Sequence, residues 1–330
     1  MERREYLVTT ASAVGTALAA GCTGSDPESQ SDGSPTTEAH TTTEAQTEAH
    51  LEKAGEALDK AAEKISEESD KFSEVDISNS GIDFKTATIN EYLDTASNEL
   101  DAAEESASDR QLEWIDTARD YIAFARKFTE FGDTTAEGFS QINTGLAYFD
   151  SERYTDAAEA LKEAQNTIDK ADDALTLVQD RADKMDTSVL NDLDQIEITS
   201  LQTNLSDLDE AIPVLSVFAK GLRDVALGMV DFTEASTNID NSNYTKAQQL
   251  FSEAESDFAS AHSAFKDKEE SAPSSVKSSI IELTCYSNAL KDGSSHLATA
   301  AAAIENGNQE RAEEASEKGK QALNRCDFSS

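Results

Sequence analysis

The sequence predicts an all-α protein, an elongated array of long antiparallel helical hairpins behind a disordered N-terminal stalk. Three observations lead there. The 330 residues include only 14 glycines and 4 prolines, too few turn-makers for an all-β chain. Apolar residues recur at steps of three and four over most of the length, the period of an amphipathic helix. The same stripe then returns at a fixed offset, as a duplicated supersecondary unit would. Aromatic residues make up 6%, so the core must rest on Ala, Leu, Ile and a few Phe. Charge excludes one class of partner. With 66 Asp+Glu against 27 Lys+Arg, the net charge of −39 leaves no cationic surface for nucleic acid.

Residues 1–22 read MERREYLVTTASAVGTALAAGC. The apolar run is well short of the roughly 20 residues that span a bilayer. Arg3, Arg4, Tyr6 and Leu7 resemble the double arginine, spacer and aromatic-Leu step of a twin-arginine export signal. The end of the run is similar to a lipobox, with Ala19 where the bacterial form prefers Leu and Leu18 one step earlier. The resemblance implies that residues 1–21 are removed and that Cys22 bears the lipid. It also implies a dual-chain anchor on the outer face of the cell membrane, because one chain at roughly 0.8 kcal/mol per buried methylene holds only marginally.

Residues 22–47 are mostly Ser, Thr, Glu, Gln, Gly and Pro, with Thr-Glu-Ala-His at 37–40 and again at 47–50. Such a segment offers little to offset the entropy of ordering and is expected to be a solvated stalk. A flexible stalk of ~25 residues reaches roughly 25 to 30 Å. His40 and His50 are expected to be exposed bystanders rather than metal ligands.

The helical body is expected from 48 to 330. Leu51, Ala54, Leu58, Ala61, Ile65 and Phe72 form a first stripe, interrupted by Glu68, where the helix should fray or turn. Tyr154, Ala157, Leu161, Ala164, Ile168, Ala171 and Leu175 form an unbroken one, repeated 90 residues later as Tyr244, Ala247, Phe251, Ala254, Phe258, Ala261 and Phe265. Ile122 and Ile212, Phe128 and Phe218, Ala136 and Ala226, Asp150 and Asp240, and Thr155 and Thr245 share that offset. The duplicated units run from about 110 to 185 and 200 to 268, and a weaker third copy from 275 to 326 is carried by Ile304 to Asn308, Gln309 and Ala312. Helices are expected at 48–70, 86–107, 110–149, 154–185, 188–208, 210–239, 244–268, 275–304 and 309–326. The longest would extend ~60 Å. Pro213 should kink its helix or mark its first turn. Ala211 to Val230 is the most apolar stretch, but Lys220, Arg223 and Asp224 interrupt it, so it is expected to be a core helix rather than a membrane span.

Gly145, Tyr148, Tyr154, Ala157, Leu161 and Ala164 stand at the spacing of the tetratricopeptide hairpin's Gly, Tyr, Tyr, Ala, aromatic and Ala positions, and Ala235, Tyr244, Ala247, Phe251 and Ala254 follow suit. The hairpin junctions therefore resemble that family and imply related packing. The offsets of 90 and 65 residues and the missing terminal proline depart from the family's repeat of about 34.

No nucleotide loop, Cys-x-x-Cys, His-Glu-x-x-His, EF-hand or Gly-x-Ser-x-Gly pattern occurs, so no catalytic, cofactor-binding or metal-binding residue is named. His262 and His296 stand alone on helices and are expected at the surface. Cys285 and Cys326 fall at nearly equal heights on the last two helices and are candidates for a disulfide, with two free thiols as the alternative. Asn204 and Asn243 begin sequons for N-linked sugar. The acidity, joined to the export signal, resembles a surface protein of a salt-loving archaeon and implies folding that depends on high salt. The expected role is a lipid-anchored, extracytoplasmic binding or scaffold protein without catalysis, whose partners are the membrane and another protein or envelope component. The alternative is a solute- or cation-capturing lipoprotein serving a transporter or envelope enzyme complex.

Overall fold

Three chain reversals of the same backbone geometry organise the molecule. The computed structural model describes residues 38–74, 84–185, 198–272 and 274–326. Among these there are helices α1 (Glu38–Glu74), α2 (Thr86–Glu104), α3 (Asp109–Asp150), α4 (Tyr154–Ala182), α5 (Ile198–Asp240), α6 (Tyr244–Lys268), α7 (Ser274–Glu305) and α8 (Gln309–Leu323), and no strand. The α3/α4, α5/α6 and α7/α8 connections each place one residue in the left-handed region: Glu152 at φ 59°, Ser242 at φ 58° and Gly307 at φ 70°. Two backbone bonds close each turn and satisfy the carbonyls that a helix C-terminus leaves open. Arg153 N–H donates to Tyr148 (2.9 Å) and Glu152 N–H to Phe149 (3.0 Å); Asn243 and Ser242 repeat this on Asn238 and Ile239, and Asn308 and Gly307 on Ala303 and Ile304. Only the third turn uses glycine, so the first two carry left-handed strain. Replacing Glu152 with Gly is expected to stabilise the fold by about 0.5–1 kcal/mol, read as a higher urea midpoint at unchanged slope.

The long helices zip because small residues on one face large residues on the next. A Cβ placed on Gly138 would lie 2.8 Å from Ile168, one on Gly228 2.5 Å from Phe258, and one on Gly293 2.5 Å from Leu323. Each pair stands 15 residues before and after the last turn residue, Arg153, Asn243 or Asn308, so the three hairpins share one register. Gly145 and Leu161, and Gly221 and Phe265, add further contacts of the same kind. Glycine inside a helix costs about 1 kcal/mol relative to Ala. Here that cost is offset by side chains as large as Phe258 and Phe265 reaching 0% exposure. At the first turn the Arg153 guanidinium lies 4.3 Å from the centre of the Tyr148 ring, and Phe149 meets Tyr154 edge-on.

Packing runs almost entirely between chain neighbours, from α1 against α2 through α7 against α8, with shallow contacts of α1 on α3 and α5 on α7. Just ahead of α2, the Phe84 ring covers Gly132 halfway along α3. One core cluster extends from Ala54 in α1 to Ile280 and Leu290 in α7, and a second, of Ala235, Ala247, Leu250, Phe251, Ala298 and Ala301, sits toward the turns.

Four expectations are corrected. Helix α1 begins at Glu38, inside the segment expected to be stalk, and its third and fourth turns have partners: Thr47 is buried with its hydroxyl 2.9 Å from that of Ser106, and His50 Nδ1 lies 2.6 Å from Glu99 Oε2. His50 is thus not a bystander. Glu68 does not end the helix. It is 5% exposed and accepts the Lys85 N–H (2.9 Å) ahead of α2, so its charge faces a helix N-terminus. Finally, the two helices expected at 188–208 and 210–239 are one over Ile198–Asp240, with residues 186–197 outside the described set. Pro213 lies well inside it and supplies no N–H toward the Asp209 carbonyl. Buried Leu208, Ile212, Val214 and Leu215 on both sides of the proline offset that loss.

Candidate functional site

The apolar run of α5 carries three charges, and the structure gathers them around one carboxylate. Asp224 is 5% exposed. Its Oδ2 accepts from Lys220 Nζ (3.0 Å) and from Ser260 Oγ of α6 (2.8 Å), and its Oδ1 from Arg223 Nη2 (2.8 Å). Arg223 Nη1 donates in turn to Gln165 Oε1 of α4 (3.0 Å). One carboxylate therefore fastens three consecutive helices. A buried charge costs several kcal/mol unless paired and hydrogen-bonded, and this one is both. With its oxygens committed to these donors, Asp224 is a tie between helices rather than a free base or ligand.

Asp257, one turn before Ser260, completes the cluster. Burial, followed by the negative charges of Asp231 and Asp224, pushes its carboxyl up to about 6, while Arg223 pulls the other way and Glu253 adds to the rise. The folded state therefore binds a proton that the unfolded chain releases nearer pH 4. Its stabilising contribution is fully present below that value and lost as pH rises through about 6. Asp257→Asn is expected to raise the melting temperature at pH 7 and to flatten the pH dependence between about 4 and 6. Asp224→Asn should lower it, because Lys220 and Arg223 lose their shared counter-charge. Thermal unfolding of both variants at fixed molar salt checks the opposite signs.

Cys285 and Cys326 are joined, with Cα atoms 6.1 Å apart and a separation of 41 positions in sequence. The bond lies on the exposed edge of α7, two positions from fully buried Ser287, and ties the chain just beyond α8 back to α7. Beside it Arg325 Nη2 donates to Asp292 Oδ2 (2.8 Å). Burial works to raise the Asp292 carboxyl, but hydrogen bonds and charge from Arg325 and Lys291 outweigh it and hold the group below its ordinary value. Cys326→Ser is expected to cost about 2–4 kcal/mol, measured by urea unfolding, and reducing agent should change the parent protein but not the variant.

Of the other residues singled out in the sequence, Arg3, Arg4, Tyr6, Leu7 and Cys22 lie outside the described residues. Asn204 lies in the second turn of α5, and Asn243 is exposed at the α5/α6 turn. His262 is half-buried rather than at the surface, with Nδ1 3.0 Å from the Thr284 carbonyl oxygen of α7. His296 is half-buried on α7. Sequence reasoning missed the partners of Asp224. The available signal was three charges inside the most apolar helix, since such charges persist in a core only with counterparts on its neighbours. It also missed the glycines at 138, 228 and 293, whose equal distances from the turns mark the shared register.

Among the described residues no group of three or more His, Cys, Asp and Glu side chains is placed to hold a metal ion, and no helix is long and apolar enough to cross a membrane. No family model, curated protein or solved structure matches the chain.

Proposed function

We propose that the chain is a lipid-anchored extracytoplasmic scaffold or binding protein, held on the outer face of the cell membrane through Cys22 and offering the outer surface of its hairpins to a protein or envelope component. The observation that carries this reading is the closed seam. Where Gly138, Gly228 and Gly293 face Ile168, Phe258 and Leu323, the space between helices is already filled, and Asp224 has spent its oxygens on neighbouring side chains. Recognition then falls to the exterior. A small-molecule site would need convergent polar groups in an apolar cleft. A bond between Cys285 and Cys326 suits an oxidising compartment, and the Arg3-Arg4 signal supplies a route to it.

Fractionation of cells making the full chain tests the proposal. The parent should be found in the membrane fraction and be degraded by protease added to intact cells. Cys22→Ser should move it to the soluble fraction or the medium, and the Arg3→Lys, Arg4→Lys double variant should leave it inside and protected. A Cys22→Ser chain still held in the membrane, or a parent untouched by external protease, would count against the anchor and the location. Thermal stabilisation by a metal or metabolite panel would favour solute capture instead.

A further inference from the structure

We propose that Asn243 is the acceptor of an N-linked sugar and that Asn204, which also begins a sequon, is not. The inference rests on the extracytoplasmic reading, since the sugar donor must be met outside the cytoplasm.

The two sequons differ in what modification would disturb. Asn204-Leu205-Ser206 lies inside α5, with helix on both sides. A helical backbone holds the sequon out of the extended conformation in which both of its ends could be presented together. Opening that stretch to present both would break hydrogen bonds in both directions along the helix. Asn243-Tyr244-Thr245 lies at a helix start, where the first N–H groups have no intrahelical acceptor. Asn243 has the non-helical backbone angles φ −91° and ψ 62°, and both Asn243 and Thr245 are exposed. Freeing the sequon breaks Asn243 N–H to Asn238 (2.8 Å) and Ala247 N–H to Asn243 (3.0 Å) at the turn, and on the α6 side only the first bonds of that helix.

The three equivalent turns supply an internal comparison. At the third, Asn308 occupies the same position and uses its side chain structurally, with Oδ1 accepting the Arg311 N–H at 3.1 Å. Asn243 makes no such capping bond. Its Nδ2 donates only to half-buried Asn238 Oδ1, at 3.3 Å. The amide that would carry the sugar is thus not committed to holding α6, and the α5/α6 turn is the only one of the three whose last residue begins a sequon.

The chemistry is a transfer to nitrogen. Asn243 Nδ2 forms a bond to C1 of a sugar carried on a lipid-linked phosphate. The C1–O bond to the phosphate breaks, the phosphate leaves with the electron pair, and the proton lost from the amide ends on phosphate or solvent.

Peptide mass spectrometry of the full chain, purified from the membranes of the cells that make it, tests the assignment. The peptide containing Asn243 should carry a sugar mass and that containing Asn204 should not. Thr245→Ala and Asn243→Gln should each abolish the added mass, Thr245→Ser and Asn204→Gln should each retain it, and circular dichroism should show all four folded. Sugar on Asn204, or a bare Asn243 in chains degraded by external protease, overturns the assignment alone. A bare chain protected inside the cell overturns the location and the modification together.

Discussion

Phe258→Ala should destabilise the protein by about 3–5 kcal/mol, more than any exposed substitution. The ring is fully buried between α5 and α6 and lies against Gly228. The cavity it leaves would be walled by a residue with no side chain to move in, so little of the cost is recovered by relaxation. The reverse change tests the same contact. Gly228→Leu brings a Cβ to within 2.5 Å of Phe258 Cε1, and overpacking should cost about 1–3 kcal/mol despite the better helix propensity. The double variant Gly228→Leu, Phe258→Ala should be less damaged than the sum of the two, with a coupling of about 1 kcal/mol or more. Gly55 is the control: a Cβ there meets nothing within 4 Å, so Gly55→Ala should gain about 1 kcal/mol. Urea unfolding at molar salt measures all four, and strict additivity of the pair would mean that the seam does not pack in this register.

The second large effect expected is loss of helix on desalting. At about 1 M salt the Debye length is ~3 Å, and at about 10 mM it is ~30 Å, so each exposed carboxylate then feels many others. Compensation is sparse. Arg119 bridges Asp101 and Glu104 of α2, each at 2.6 Å, and Arg126 reaches Asp94 at 2.5 Å. Exposed pairs of this kind contribute about 0–1 kcal/mol each, against a net charge of −39. Far-UV circular dichroism during dialysis should show helicity falling as salt is removed and returning when it is restored. Full helicity at about 10 mM would sink the expectation.

Mild acid should substitute for salt. Burial, aided by neighbouring carboxylates, raises Asp59, Asp172, Asp231 and Asp257 above their ordinary value. The folded state therefore takes up protons that the unfolded chain does not, so stability at low salt should rise as pH falls from 7 toward about 5. Glu104 and Glu314 have the opposite sign, held down by hydrogen bonds from Arg119 and Lys318, and their contributions are lost in stronger acid.

The stripes from Tyr154 to Leu175 and from Tyr244 to Phe265 made the fold class and most helices legible, because a step of three and four reports directly which side chains leave water. It does not report what they meet. Glu68 reads as a flaw in a stripe until the Lys85 N–H stands opposite it, and Asp224 reads as an interruption until Ser260 and Arg223 close around it. Pro213 argued for a boundary on local grounds, and burial on either side of it outweighed the missing bond. Helix ahead of residue 48 was hidden for a similar reason: Thr-Glu-Ala repeats look unstructured alone, and the partners of Thr47 and His50 lie just beyond α2 and on it. Of the site, the cysteine pair could be placed by counting residues from the turn, whereas the charged cluster depends on side chains far apart in sequence and could not.

Because adhesion among the described residues runs almost wholly between consecutive helices, tension along the array would meet little long-range bracing. The molecule would lengthen in steps as one hairpin after another peeled away, each giving up its own contour of slack. The last step would be curtailed, since the sulfur bridge removes from the extensible path the chain between Cys285 and Cys326. In mechanical terms the protein is a spring of separable links with a permanent loop at its far end.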